Sequence, residues 1–423
     1  MAEVIPFRGI LYNPRKVDAG SVVAPPYDII TPEMREALYQ RSPYNVVRID
    51  AGAELEGDTP QDNRYTRARE ALLQWLQEGV LQRAPEPAFY AYQVRYRHEG
   101  SEKLLQGFFA LVRLEPLGAG RIHPHECTHS KARQDRLRLL QALRLNTSPI
   151  YAIYESPQRL ASQAIARAIE GAPPFMEAQD AQGATHRLWV VSSPEALRAV
   201  KEDLEDKDIF IADGHHRYET ALQAQQFMHR EGHGHGPFDY VLMFLANTAD
   251  GGITILPTHR VLRGLSAPLL QSAERHFQLK RQQGLEALLK AIKGKAGHLG
   301  LYCPEGYFAL AHRGQDGLSH VPQALRGLDV VLLQELLVKG LAPKELAYEM
   351  SPARAEAMVR SQGWEAAFFL NPTRVEDVKK VALAGERMPP KSTYFYPKLL
   401  TGFVMGEPWN LEQENLNAIR RVS

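Results

Sequence analysis

Asp208-Ile209-Phe210-Ile211-Ala212-Asp213-Gly214-His215-His216-Arg217 is the stretch on which the fold reading turns. Its four apolar residues suit a short buried strand, and Asp213-Gly214 is chemistry that ends one. From Tyr218 to Arg230 the apolar positions, Leu222 and Phe227 among them, fit a helix. That helix stops at Gly232-His233-Gly234-His235-Gly236-Pro237, which reads as a surface loop rather than a metal site. A strand that hands over to a helix across so few residues is the mark of an α/β protein.

The polar residues at this junction suggest chemistry. A helix start leaves backbone N–H groups unpaired and carries a partial positive charge, so it favours a bound phosphate. Gly214 lets the backbone approach a ligand closely. Arg217 can hold a phosphate through two parallel hydrogen bonds, with His215 or His216 adding donors. Asp213, at the strand end, can hold Mg²⁺ or orient a histidine. The same residues also read as a helix cap, Asp213, followed by a solvated histidine pair.

Working outward, strand-like and helix-like segments alternate along the chain, which predicts an α/β fold with a mixed sheet and flanking helices. Ser21 to Ala24 reads as a strand stopped by Pro25-Pro26, and Thr31-Pro32 as a helix start. Tyr65, Ala68, Leu72, Trp75 and Leu76 keep helical spacing up to Gly79. Phe89 to Tyr96, Gly107 to Leu114, Tyr240 to Ala246 and Ala366 to Leu370 read as strands. Leu285 to Ile292 and Pro352 to Val359 read as helices. At 423 residues the chain exceeds one ordinary core. A soft division near residue 200 would give regions 1–200 and 201–423, although one composite domain is compatible with the absence of a linker.

Bulk properties remove several function classes. Lys and Arg number 50 against 49 Asp and Glu, so no basic excess advertises a nucleic-acid or membrane surface. Two cysteines, Cys127 and Cys303, are too few for a disulfide framework or a four-thiolate metal site. Met1 to Phe7 lacks the apolar core of a signal peptide, and no apolar run is long enough to span a bilayer. A cytoplasmic address and a small-molecule partner are the expectation; self-association is left open.

Three further clusters carry candidate chemistry. In Arg121-Ile-His123-Pro-His125-Glu126-Cys127-Thr128-His129 three histidines and a carboxylate can make a metal site; if the segment is extended, His123, His125, Cys127 and His129 share one face and Glu126 and Thr128 the other. Glu126 can instead accept a proton from a substrate hydroxyl. A polar loop with incidental histidines is the plain alternative. Downstream, Lys131, Arg133 and Arg136 precede Leu139, Leu140 and Leu143 on a helix, where they are anion contacts or simply its solvated face. Leu256-Pro257-Thr258-His259-Arg260 reads as a structural turn that can also complete an anion pocket. Met388 to Lys398 combines Lys391 and Lys398 with small hydroxyls and three aromatics, fit either for phosphate and base contacts or for a core edge.

Taken together, Pro25-Pro26-Tyr27-Asp28, Ser42-Pro43-Tyr44-Asn45, His123-Pro-His-Glu126, Ala212 to Arg217, Leu256 to Arg260 and Lys391 to Lys398 resemble, in that order, a widespread bacterial and archaeal family. It has been catalogued only as a domain of unknown function, number 1015. The Asp213–Arg217 loop is similar to the nucleotide-phosphate loop of free-serine kinases in the ParB/sulfiredoxin-like superfamily. That resemblance implies a nucleotide-binding core of that type within a large composite domain. It further implies ATP or ADP at Asp213, His215, His216 and Arg217, and phosphorylation of a small hydroxyl amino acid, free L-serine foremost. The loop lacks the cysteine a sulfiredoxin needs, and no Walker loop or protein-kinase signature is present.

The expected mechanism is therefore phosphoryl transfer, which asks for positioning and charge neutralisation. Gly214, His216, Arg217, Lys391 and Lys398 would hold phosphate, and Asp213 would carry Mg²⁺ and act with Glu126 and His215 in catalysis. Glu126 is the preferred base and Asp28 the reserve. Asp28, His125, Thr128, Arg136, His259 and Arg260 would contact substrate. Two rival readings are a metal-dependent hydrolase on His123, His125, Glu126 and His215, and a non-catalytic nucleotide sensor.

Overall fold

The computed structural model describes residues 3–128, 130–314 and 317–407. The chain forms two compact units, one from residues 1–123, 128–253 and 397–423, the other from 124–127 and 254–396.

The first unit starts with strands β1 (Val4–Ile5) and β2 (Ile10–Tyr12), helices α1 (Ala19–Val22), α2 (Pro32–Arg41), α3 (Val47–Asp50) and α4 (Arg64–Gln77), and strand β3 (Leu81–Arg83). There follow β4 (Phe89–His98), β5 (Ser101–Arg113), β6 (Ile122–His123), α5 (Ser130–Leu143), β7 (Ile150–Tyr154) and α6 (Leu160–Ile169). Strands β8 (Met176–Gln179) and β9 (Thr185–Val191), α7 (Pro194–Leu204), β10 (Ile209–Asp213), α8 (His215–Arg230) and β11 (Tyr240–Asn247) complete it.

Nine of these strands make one mixed sheet in the order β6-β10-β7-β11-β5-β4-β9-β8, with β1 paired to β5. β11 runs parallel to β7 and antiparallel to β5, while β10 is antiparallel to β7 and parallel to β6. Every residue of β7 and β11 is buried, as expected for central strands covered on both faces. Ile150, Ala152, Ile209, Ile211 and Met243 pack with Ala164 of α6, Val200 of α7 and Tyr218, Ala221 and Leu222 of α8 in one core.

Local sequence explains most helix ends. Thr31 caps α2 by accepting the Met34 N–H, with Pro32 at the first position. Asn63 and Thr66 form a reciprocal capping box on α4. One expected element is different: Ser21–Ala24 is not a strand, because residues 19–22 coil into α1. Asp18 caps that turn through the Ser21 N–H at 2.9 Å, and the Asn45 amide donates to the carbonyls of Ser21 and Val23. Those polar bonds outweigh the β preference of the Val22-Val23 pair, and only Ala24 keeps a sheet-like bridge, to Thr401.

The second unit contains β12 (Thr254–Leu256), β13 (His259–Arg263), α9 (Leu269–His276), β14 (Phe277–Gln282), α10 (Leu285–Ile292), β15 (His298–Cys303) and β16 (Gly306–His312). It continues with α11 (Asp329–Leu333), α12 (Lys339–Leu341), β17 (Glu345–Glu349), α13 (Pro352–Ser361), β18 (Ala366–Phe369), α14 (Val375–Leu383) and β19 (Tyr394–Tyr396). An antiparallel sheet in the order β14-β16-β15-β18-β13-β17 packs under α10 and α13, and β12 pairs with β19 in a separate ribbon. The units interleave along the chain instead of dividing near residue 200. Pairing of β10 with β7 places residues from both sides of that position in one sheet. Among the described residues no helix is long and apolar enough to cross a membrane.

Candidate functional site

In the first unit the Asp213–Arg217 loop sits where its sequence placed it, between β10 and the 16-residue α8. Gly214 occupies the N-cap with φ +94°, a left-handed conformation natural to glycine, and no side chain caps the helix. The absent Cβ has a second use. A Cβ built on Gly214 would lie 3.0 Å from Nε and Nη2 of Arg217, so the guanidinium folds directly over bare backbone. Arg217 donates through Nη1 to the Pro149 carbonyl, while its Nε is buried with no hydrogen-bond partner among the described residues. A buried donor left in this state costs about 1–3 kcal/mol, so it points to a ligand atom.

Asp213 projects from the strand end. Its Oδ1 accepts the Gly214 N–H at 3.0 Å, and its Oδ2 lies 3.0 Å from the Lys398 ammonium. Lys398 reaches it from the segment 397–407, which returns to this unit through bridges Thr401–Ala24, Met405–Ile10 and Gly406–Asn146. A small pocket is lined by Pro26, Tyr151, Asp213, Arg217, Leu399 and Thr401. His215 is buried at the start of α8 and His216 half-buried beside it.

Tyr27, which sequence reading passed over in favour of its neighbour Asp28, stands at the centre of this cluster. Burial pushes its phenol up to about 12, with Arg136 and Arg217 pulling the other way and Asp28 and Asp213 adding to the rise. Four charged groups from three sequence stretches therefore act on one hydroxyl. The Arg136 guanidinium stacks 4.0 Å from the Tyr27 ring centroid. Arg136 also donates to the Asp50 carbonyl at 2.8 Å and to Asp135 at 2.7 Å, which gives it a structural task in place of a free anion contact. Thr128 is likewise committed, donating to Glu219 on α8 at 2.6 Å.

A second cluster lies in the other unit. Glu126 pairs in parallel fashion with Met388, and its carboxylate accepts the Lys391 N–H at 2.9 Å. His125 is fully buried, with Nε2 at 3.0 Å from Thr393 Oγ1. Arg260, also buried, donates to the carbonyls of Thr258 and Lys391, and desolvation lowers its pKa to about 10. Burial together with the Arg260 charge lowers His259 to about 4, so its ring is neutral near pH 7. Its Nδ1 accepts the Leu370 N–H, and Nε2 is buried without a partner among the described residues. The three sequence stretches around Glu126, Arg260 and Lys391 are thus stapled together by backbone and side-chain bonds.

The structure does not assemble the expected metal set. His123 belongs to the first unit, stacked on Phe210 and 3.0 Å from Asp208, whereas His125 and Glu126 belong to the second. His129 lies outside the described residues. Among those described, the grouping with metal-ligand geometry is His229, His235 and Asp239, not His123, His125 and Glu126. For Mg²⁺ the fit at Asp213 is poor, because an ammonium and an amide already hold its two oxygens. A roomier pocket of about 430 Å³ lies among Arg121, Glu202, Asp203, Glu205, Asp206 and Lys207. Its acidic walls repel a polyphosphate.

The fold is that of a mixed α/β protein with a large mixed sheet and flanking helices. The chain belongs to the family described as "Protein of unknown function (DUF1015)", whose model matches residues 4–331. No curated protein matches it. Among solved structures, a mutant free serine kinase in complex with AMP is 14% identical, with TM-score 0.37, covering 65% of this chain and 84% of its own. A C-terminally truncated SbnI from Staphylococcus aureus is 12% identical, with TM-score 0.40, covering 74% and 93% respectively. A conserved hypothetical protein from Pyrococcus furiosus is 16% identical, with TM-score 0.33, covering 65% and 87%.

Proposed function

We propose that the chain is a nucleotide-dependent kinase that phosphorylates the hydroxyl of a small amino acid, free L-serine being the leading acceptor. The observation that carries the reading is the Arg217 guanidinium, folded over Gly214 at a helix start without a side-chain cap, its buried Nε unpartnered among the described residues. Phosphate oxygens of ATP or ADP supply the acceptor this donor lacks. Arg217 and the first amides of α8 hold the phosphates, with His215 and His216 flanking them. Lys398 contributes charge while pinned by Asp213. The resemblance of the loop to free-serine kinases and the ParB/sulfiredoxin-like group supports the same assignment.

In the transfer step the acceptor oxygen bonds to phosphorus as the bond to the bridging oxygen of the nucleotide breaks. The hydroxyl proton passes to a carboxylate. Asp28 shares the Tyr27 cluster with Arg217, and Glu126 is the base favoured by sequence. No step is routed through a metal ion.

The test is calorimetric titration of the full chain with ADP and ATP, followed by incubation with Mg-ATP or Mg-ADP and L-serine and detection of phosphoserine. Arg217→Ala should weaken nucleotide binding by about 10-fold or more, the worth of one charged hydrogen-bond pair. Unchanged affinity in the folded variant removes the site. Binding without any phosphorylated hydroxyl amino acid leaves a nucleotide sensor in place of a kinase. Asp28→Asn and Glu126→Gln identify the base: the true one loses about 10²–10⁴ in kcat with KM little altered.

A further inference from the structure

The C-terminal end of α8 carries a constellation that the phosphate chemistry does not use. His229 lies in the last turn of the helix, and Gly232, with φ +85°, ends it. The chain then runs through His233-Gly234-His235-Gly236 into a 3-10 turn, Pro237–Asp239, that leads straight into β11. This turn brings the Asp239 carboxylate beneath both His229 and His235. His229 Nε2 is 2.8 Å from Oδ1, and His235 Nδ1 is 3.1 Å from Oδ2. One ligand atom from each residue lies within 4.8 Å of the other two, and the imidazoles meet edge to face at 5.6 Å.

We propose that His229, His235 and Asp239 form a binding site for one divalent transition-metal ion of the zinc class. Two imidazoles and a carboxylate are a borderline donor set suited to Zn²⁺, Ni²⁺ or Cu²⁺ and unsuited to the all-oxygen shells of Mg²⁺ and Ca²⁺. Metal–ligand bonds of about 2.0–2.2 Å place neighbouring ligand atoms roughly 3–3.5 Å apart, so small ring rotations close the present gap. The ion takes the place of the two ring protons now lying between nitrogen and oxygen; each neutral imidazole keeps its single proton on the other ring nitrogen, and acid that protonates the rings competes with the metal.

The surroundings are those of a supported site. Gln225, one turn before His229 on the same face of α8, donates to Oδ1 at 2.8 Å, and the Gly236 N–H donates to Oδ2 at 3.0 Å. Neither bond involves a proposed ligand nitrogen, so both persist as outer contacts that orient the carboxylate when metal binds. Burial raises the Asp239 pKa, but these hydrogen bonds and those from the two histidines outweigh it and hold the carboxyl below its usual range. The Asp239 carbonyl is tied to the sheet by the Leu114 N–H at 2.7 Å. His235 is 80% exposed and His229 35%, which leaves solvent a route in and water a remaining coordination position. A bound ion would pin the C-terminal end of α8 to the start of β11. The phosphate loop sits at the other end of that helix, about 24 Å away by helical rise.

The experiment uses untagged full-length protein, stripped with chelator and titrated with ZnCl₂ by calorimetry at pH 7.5, with MgCl₂ as the comparison. Expected are one Zn²⁺ per chain, no Mg²⁺ binding, and a rise in Tm on adding Zn²⁺. His235→Ala removes an exposed ligand without touching the core and should weaken Zn²⁺ at least about 10-fold and abolish the Tm rise. His233→Ala should change neither. Failure of the wild-type chain to take up Zn²⁺, or uptake that is indifferent to His235→Ala and His229→Ala, overturns the site.

Discussion

Replacing Gly214 by alanine tests the phosphate loop at its most constrained point. Two costs are legible in the geometry. Holding a non-glycine residue at φ +94° costs about 1–2 kcal/mol. The new methyl also arrives 3.0 Å from Nε and Nη2 of Arg217, closer than ordinary contact. Arg217 cannot step aside cheaply, since its side chain is 13% exposed and Nη1 is bonded to the Pro149 carbonyl. Breaking that charged hydrogen bond adds about 1–3 kcal/mol, so Gly214→Ala should lose roughly 2–5 kcal/mol in urea denaturation. A displaced guanidinium also forfeits the proposed phosphate contact, worth about 1.5–3 kcal/mol, which is a 10- to 150-fold weaker ADP affinity by calorimetry. Gly234→Ala is the control: its Cβ meets open space, and a surface change of this kind costs within about 0.5 kcal/mol. If Gly214→Ala keeps both wild-type stability and wild-type ADP affinity, the reasoning about this loop is wrong.

Two further outcomes follow from buried charge. His259 falls from 6.5 to about 4 on folding, so the neutral ring is favoured in the native state. Stability from this residue is complete above about pH 6.5 and drains away as pH drops toward 4. Between pH 7 and pH 5 the loss amounts to about 2 kcal/mol, measurable by urea denaturation as a slope that His259→Asn lacks; an equal slope in the variant refutes it. Arg136 and Asp50 are 7% and 2% exposed, and Arg136→Met strands the carboxylate, which should cost about 3–5 kcal/mol. The double variant with Asp50→Asn should recover much of that loss, and a purely additive result would deny the coupling.

How far the sequence foretells this molecule depends on the range of the forces involved. The β10–α8 junction was legible because an apolar run of period-free character meets a helical repeat at a glycine. The helix at Leu285–Ile292 matches its reading residue for residue. Ser21–Ala24 was misleading because the Asp18 cap is joined by bonds from Asn45, a residue remote in sequence. The interleaved units were hidden for the same reason: nothing local in Pro397 announces that the chain rejoins Ala24 and Ile10. Within the site, glycine, arginine and histidines in one short loop were conspicuous, but the Pro149 carbonyl and the Tyr27 hydroxyl carry no pattern of their own. The histidine loop read as surface because Asp239, the residue that would make it a ligand cage, lies beyond a proline turn.

Lys398 reaches Asp213 from a segment that follows all of residues 254–396 in the chain. On the ribosome, the first unit therefore waits for its partner to be synthesised before that ammonium can neutralise the strand-end carboxylate. A nascent chain halted before residue 397 would lack that ammonium and leave Arg217, 3.9 Å from the same carboxylate oxygen, to balance Asp213. Messenger truncation or early proteolysis would then yield a fragment whose strand-to-helix junction carries one positive charge fewer.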